Sequence, residues 1–198
     1  MPAPKHANRS ARPTPDRTEP RTADTERDRM APRTPAGWFD LRQLFAALDA
    51  QRRLKGLSWS GALAEIRRGS RHGLSLSTLK GIGEKSFAEG DGVLQMLRWL
   101  GRTPESFVPG YPEEAGAALP DVASRKILRF DTRKLYRAIA AERDRRTLTW
   151  SQVAAETGWS VPALTRLSQG GRTGFPTVMR LFEWLKLPAS RFIRASDR

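Results

Sequence analysis

The sequence predicts an all-α protein in which one small helical unit occurs twice behind a coreless N-terminal arm. Two matched segments and one composition shift carry that expectation. FDLRQLFAALDAQRRLKGLSWSGALAE from Phe39 and FDTRKLYRAIAAERDRRTLTWSQVAAE from Phe130 run in parallel 91 positions apart, placing Leu44 on Leu135, Leu57 on Leu148 and Trp59 on Trp150. Further on, VLQMLRWLGRTPESF from Val93 matches VMRLFEWLKLPASRF from Val178 at a step of 85, with Trp99 on Trp184. The first copy therefore carries extra residues between Glu65 and Leu74, in IRRGSRHG. The expected organisation is an arm over 1–36, a first helical domain with an extended turn over 37–108, a linker over 109–129 and a second domain over 130–198.

The arm is rich in Pro, Arg and Thr and contains no Leu, Ile, Val or aromatic residue. Such a segment has no apolar area to bury against the entropy of ordering, so disorder is expected. Its eight basic residues are interleaved with five acidic ones, which would oppose phosphate, so a DNA-tracking role is disfavoured.

Each copy decodes into five short helices. In the second, Asp131 caps a first helix with Leu135, Ala138 and Ile139 at helical spacing, fading near Arg145. Thr149 and Gln152 form a capping box for the next helix, which runs through Val153 and Ala154 to a turn at Gly158. Ser160 opens a third helix that turns Leu164 and Leu167 inward and stops at Gly170-Gly171. A fourth follows Pro176 with Val178, Leu181, Phe182 and Leu185, and Pro188 starts a last turn closing on Phe192. In the first copy Gly81 and Gly83 weaken the third helix.

Lys and Arg number 35 against 21 Asp and Glu, giving a net charge of +14 and a pI near 11.3, so a polyanionic partner is expected. No apolar run is long enough to span a bilayer and the first thirty residues lack a signal-peptide core, so no membrane partner and a cytoplasmic, nucleoid-associated location are expected. With no cysteine there is no thiol nucleophile, thiolate zinc site or iron–sulfur cluster. The only histidines are His6, in the arm, and His72, in a basic loop, so neither a metal site nor a Ser–His–Asp centre is expected, and no catalysis or cofactor. GIGEKS from Gly81 echoes a phosphate-binding loop, but Glu84 separates Gly83 from Lys85 and no strand precedes it. The tryptophans that recur in both copies are expected to pack in the core rather than stack on bases.

The capped helix, Ala154 at a close helix crossing, turn Gly158, N-cap Ser160, buried Leu164 and Leu167 and the following Gly-Arg loop make LTWSQVAAETGWSVPALTRLSQGGRTGFPTVMRLFEWLKLP resemble the XRE and phage-repressor (Cro-like) helix-turn-helix family. The resemblance implies two lambda-repressor-like five-helix domains in tandem, each placing its third helix in the major groove of double-stranded DNA. By position the readers would be Val161, Pro162, Thr165 and Arg166, with Ser160 and Arg172 at the backbone. Proline is tolerated in a first turn whose N–H groups lack helical partners, Val161 can meet a thymine methyl, and Arg166 can donate bidentately to guanine. The family's phosphate-binding glutamine at the start of the second helix is replaced by Trp150, leaving Ser151 or Gln152 to substitute. In the first copy the corresponding positions are Leu76, Ser77, Lys80 and Gly81, flanked by Lys85 and preceded by the inserted Arg67, Arg68 and Arg71.

The expected function is a sequence-specific DNA-binding transcriptional regulator reading a split site with two heads, as a monomer acting as a pseudo-dimer or as a homodimer. A flexible linker would let the heads separate, whereas copies packed face to face would leave one free. The rival functions are a protein-interaction or antitoxin-like accessory module built on apolar Val161, Pro162, Leu76 and Trp159, and a non-specific nucleic-acid binder.

Overall fold

Asp40 opens the first helix by accepting from the amides of Arg42 at 2.8 Å and Gln43 at 3.1 Å, which satisfies donors that have no partner in a helix's first turn. The computed structural model describes residues 38–68, 73–110, 116–120 and 126–197, all within one compact unit; the predicted arm lies outside the described residues. The first copy comprises α1 (Leu41–Leu54), α2 (Trp59–Arg67), α3 (Leu76–Lys80), a 3-10 turn (Ile82–Glu84), β1 (Ala88–Glu89), α4 (Gly90–Leu100) and a closing 3-10 turn (Glu105–Phe107). After β2 (Ile127–Phe130), the second comprises α5 (Thr132–Arg145), α6 (Trp150–Thr157), α7 (Val161–Ser168), β3 (Gly174–Phe175), α8 (Thr177–Leu185), a closing 3-10 turn (Ala189–Phe192) and β4 (Ile193–Ser196).

The caps predicted for the second copy are present, and the first copy has their counterparts. Asp131 accepts from Lys134 at 2.9 Å, Ser58 from Gly61 at 3.1 Å, and Thr149 with Gln152 completes a reciprocal capping box. The repetition extends to the closing turns: Asp40 N–H donates to the Phe107 carbonyl and Asp131 N–H to that of Phe192, each at 2.7 Å.

Several expectations change. Each copy has four α-helices and a closing 3-10 turn, not five helices. The third helix of the first copy is only five residues long, because Gly81 ends it and the chain tightens into a 3-10 turn that brings Gly83 under the Phe45 ring. The fold is mostly helical but not purely so. Two short antiparallel pairs, β1 with β3 and β2 with β4, are too brief to leave an alternating pattern in sequence.

The expected linker changes as well. The copies are not separate heads: one contiguous core runs through both, from Leu44 and Leu48 to Leu135 and Ile139. Part of that linker, Ile127 and Leu128, is buried.

A local two-fold relation joins the copies. In the β1–β3 pair Glu89 faces Gly174, two positions that correspond in the repeat, so equivalent segments pair with each other antiparallel. On either side of that pair each copy's fourth helix packs on the residues preceding the other copy's first helix. From α4, Gln95 donates to the Leu128 carbonyl at 3.2 Å and Asp91 takes both Nε and Nη2 of Arg129, at 3.0 and 2.7 Å. From α8, the Arg180 guanidinium lies over the Trp38 ring, where Trp38 is the repeat counterpart of Arg129. At the centre the relation breaks. Phe175 is fully buried with its ring 4.4 Å from Phe39 and 5.5 Å from Phe130, while its counterpart is Gly90. A Cβ at Gly90 would lie 2.7 Å from the Thr173 carbonyl and 2.9 Å from the Phe130 ring, so there is space for one phenyl group and not for two.

Candidate nucleic-acid interface

The best-positioned exposed helix in the second copy is α7. Gly158, at φ +68°, reverses the chain after α6 as residues with a Cβ rarely do, and Ser160 then caps α7 by accepting from Ala163 at 3.3 Å. Leu164 and Leu167 are buried, which turns Ser160, Pro162, Thr165 and Arg166 to solvent. These are the positions anticipated for base readers, with Val161 half-buried beside them. Thr165 already donates its hydroxyl to the Val161 carbonyl at 3.0 Å, so its oxygen remains as an acceptor. The Arg166 side chain has no hydrogen bond or ion pair among the described residues, leaving all five of its N–H groups available.

The expected phosphate contacts differ in freedom. Ser151 is exposed, whereas the Gln152 carbonyl oxygen is held by the Thr149 amide at 2.8 Å, leaving only its NH2 to reach outward. Arg172 is exposed but ion-paired to Glu89 of the other copy at 2.7 Å. In the first copy, Ser77 shares a hydrogen bond with the capping Ser75 at 2.9 Å, and Lys80 and Lys85 are exposed; Leu76 is just exposed, and Gly81 caps the helix end. Arg67 donates to the Leu74 carbonyl and so is engaged within the first copy rather than standing free. Arg68 is exposed at the end of α2, and Arg71 lies outside the described residues.

Sequence reading passed over Phe87. Half of its surface is exposed and its ring tip lies against Gly174, so it reaches from the first copy onto the second. With Trp159, Ala163 and Leu167 it bounds a cleft of about 530 Å3 that also touches Ser160 and Arg166. Its repeat counterpart is Arg172, and that mismatch is the signal that could have marked it.

The repeated tryptophans are accounted for by packing. Trp59 stacks on Phe45 at 5.3 Å under Arg52, and Trp150 stacks on Tyr136 at 5.4 Å under Arg143. Trp99 donates its indole N–H to Glu65 at 2.9 Å beneath Lys55, and Trp184 donates to Glu156 at 2.7 Å beneath Arg146. These contacts hold both carboxyls below the ordinary glutamate value of 4.5. The Lys55 hydrogen bond is the largest cause at Glu65, and the Trp184 hydrogen bond at Glu156. Trp159 is half-buried and donates to the Thr177 carbonyl at 3.0 Å.

No protein-family model matches the chain, and no curated protein or solved structure matches it significantly. Function therefore rests on the chemistry of the site itself. Among the described residues no group of His, Asp or Glu could hold a metal ion, and no helix is long and apolar enough to cross a membrane.

Proposed function

We propose that the chain is a sequence-specific double-stranded DNA-binding regulator of the helix-turn-helix type, with its two copies acting as a fused pseudo-dimer on a split site. One observation carries the reading: α7 is a capped helix anchored by Leu164 and Leu167 whose outward stripe, Pro162, Thr165 and the unpartnered Arg166, is free to meet base edges. The surroundings have the right sign, since the second copy holds 13 basic against 6 acidic residues over 130–198. The shared core gives the pseudo-dimer a fixed spacing in place of a flexible tether.

The test is fluorescence anisotropy on a site selected from random duplex. Log affinity falls against log salt by about 0.9 per phosphate neutralised. Arg166→Ala costs about 1–3 kcal/mol on the selected site and much less on random DNA. Inserting about half a helical turn, ~5 base pairs, between half-sites abolishes the preference because the heads cannot separate to follow. Binding that ignores salt, or an equal loss on both DNAs, overturns the reading. The competing protein-interaction reading draws on Phe87 and Leu76, both exposed, but loses Trp159 to an internal hydrogen bond. Retention of one cellular protein without any duplex preference would favour it.

A further inference from the structure

A second basic cluster lies beyond the C-terminal end of α7, in a polar cleft of about 340 Å3 at the seam between the copies. Four arginines line it: Arg129 from β2, Arg133 from α5, Arg172 from the loop before β3 and Arg194 from β4. Two acids line it as well, and both are committed. Asp91 holds Arg129 through two hydrogen bonds, and Asp131 caps α5. Arg172 in turn is matched by Glu89. With Arg129 and Arg172 so matched, Arg133 and Arg194 face only the Asp131 carboxylate, which leaves a surplus of one positive charge among these groups. Arg133 makes only a long bond to the Gln169 carbonyl, at 3.4 Å, and Arg194 is exposed without a side-chain partner among the described residues.

Two further features mark the cleft as a binding site rather than a patch of solvated charge. Thr173 lines it, is nine-tenths buried, and has a hydroxyl with no hydrogen-bond partner. Buried polar groups are almost always satisfied, so the hydroxyl of this cleft-lining residue still has a donor to give. The cleft also opens on the first turn of α5 through Thr132 and Arg133, whose backbone N–H groups have no intrahelical acceptor, whereas that of Lys134 is taken by Asp131.

We propose that this cleft binds a compact phosphate-bearing anion, held by Arg133 and Arg194, the Thr173 hydroxyl and the opening turn of α5. Two sources offer that chemistry: a free small phosphate or phosphoester, and a backbone phosphate of bound duplex. Binding of the free anion does not depend on the DNA-binding reading. Because Asp91 and Arg129 come from different copies, the bound anion sits against a contact that fastens them together.

The experiment is isothermal titration of the full chain with inorganic pyrophosphate, beside duplex affinity measured across salt. The variants are Thr173→Val, which keeps shape and removes only the hydroxyl, and the double variant Arg133→Gln with Arg194→Gln, both at exposed positions. Their melting temperatures are read first, and the double variant is expected to melt as the wild type does. For a free-anion site, pyrophosphate binds one per chain, and each variant weakens it at least tenfold with the duplex salt slope unchanged. For a backbone-phosphate site, pyrophosphate does not bind and the double variant lowers the duplex salt slope by about 0.9 for each phosphate it no longer neutralises. The proposal is overturned if pyrophosphate binds all forms equally, or if it binds none and the duplex slope is the same in every form.

Discussion

Replacing Phe175 with alanine tests whether the copies are one folding unit. The ring is fully buried and packs on Phe39 of one copy and Phe130 of the other. Truncating a core phenylalanine costs about 3–5 kcal/mol, combining the forfeited transfer energy with the cavity left behind. The high end applies here, because the substitution also removes two tilted ring pairings worth about 0.5–1.5 kcal/mol each. With about 2–4 °C per kcal/mol for a domain of this size, the midpoint should fall by about 10–20 °C. Differential scanning calorimetry should show one transition in both proteins, with calorimetric and van't Hoff enthalpies equal. Hydrogen exchange should speed up in α1 and α5 alike, since Leu44 and Leu135 belong to the same core. Two separated transitions, with α1 protection unchanged, would refute the shared core.

Three further outcomes follow from the same structure. Asp91→Ala strands Arg129 across the seam and should cost about 1.5–3 kcal/mol in urea unfolding, the range for hydrogen bonds to charged groups; a cost under about half a kcal/mol would show the pair to be idle. Glu65 and Glu156 have depressed pKa values in the fold, so their contribution is present above the ordinary 4.5 and is lost as pH falls through the folded-state values. The double variant Glu65→Gln with Glu156→Gln should therefore show a shallower fall of melting temperature below pH 4.5 than the wild type, and parallel curves would count against it. Thr149→Ala removes the hydroxyl of the capping box and should destabilise by about 1 kcal/mol in chemical denaturation, whereas Thr149→Ser should be nearly silent.

Local chemistry was legible in the sequence and the seam was not. Thr149 with Gln152, Asp131 before α5 and Ser160 before α7 declare helix starts because a cap acts over three residues, and the structure has each where the residues put it. Gly81 and Gly83 also foretold the weakness of the third helix in the first copy. The paired strands were out of reach, since two to four residues carry no readable period and their partners lie 63 to 87 positions away. Phe39 and Phe130 were visible as a repeated Phe-Asp pair, but that both rings meet Phe175 depends on how the copies face each other. Of the candidate site, Arg166, Pro162 and Thr165 could be placed on an exposed face from helical spacing alone. The engagement of Arg67 by Leu74, and the reach of Phe87 onto Gly174, are long-range or loop contacts that no spacing rule encodes.

The exchange of Gly90 for Phe175 across the axis gives the particle a polarity. Two second halves brought together would drive two phenyl rings into space for one, and two first halves would meet over a void, so neither half can take its own kind as a mate. Expressed as separate polypeptides, the halves should find each other and ignore themselves. A symmetric homodimer looks the same from either side of its axis, whereas this chain has a left and a right fixed before it meets any ligand. A palindromic target would therefore be held in either of two equivalent orientations of equal energy, and a target with two unlike ends preferentially in one.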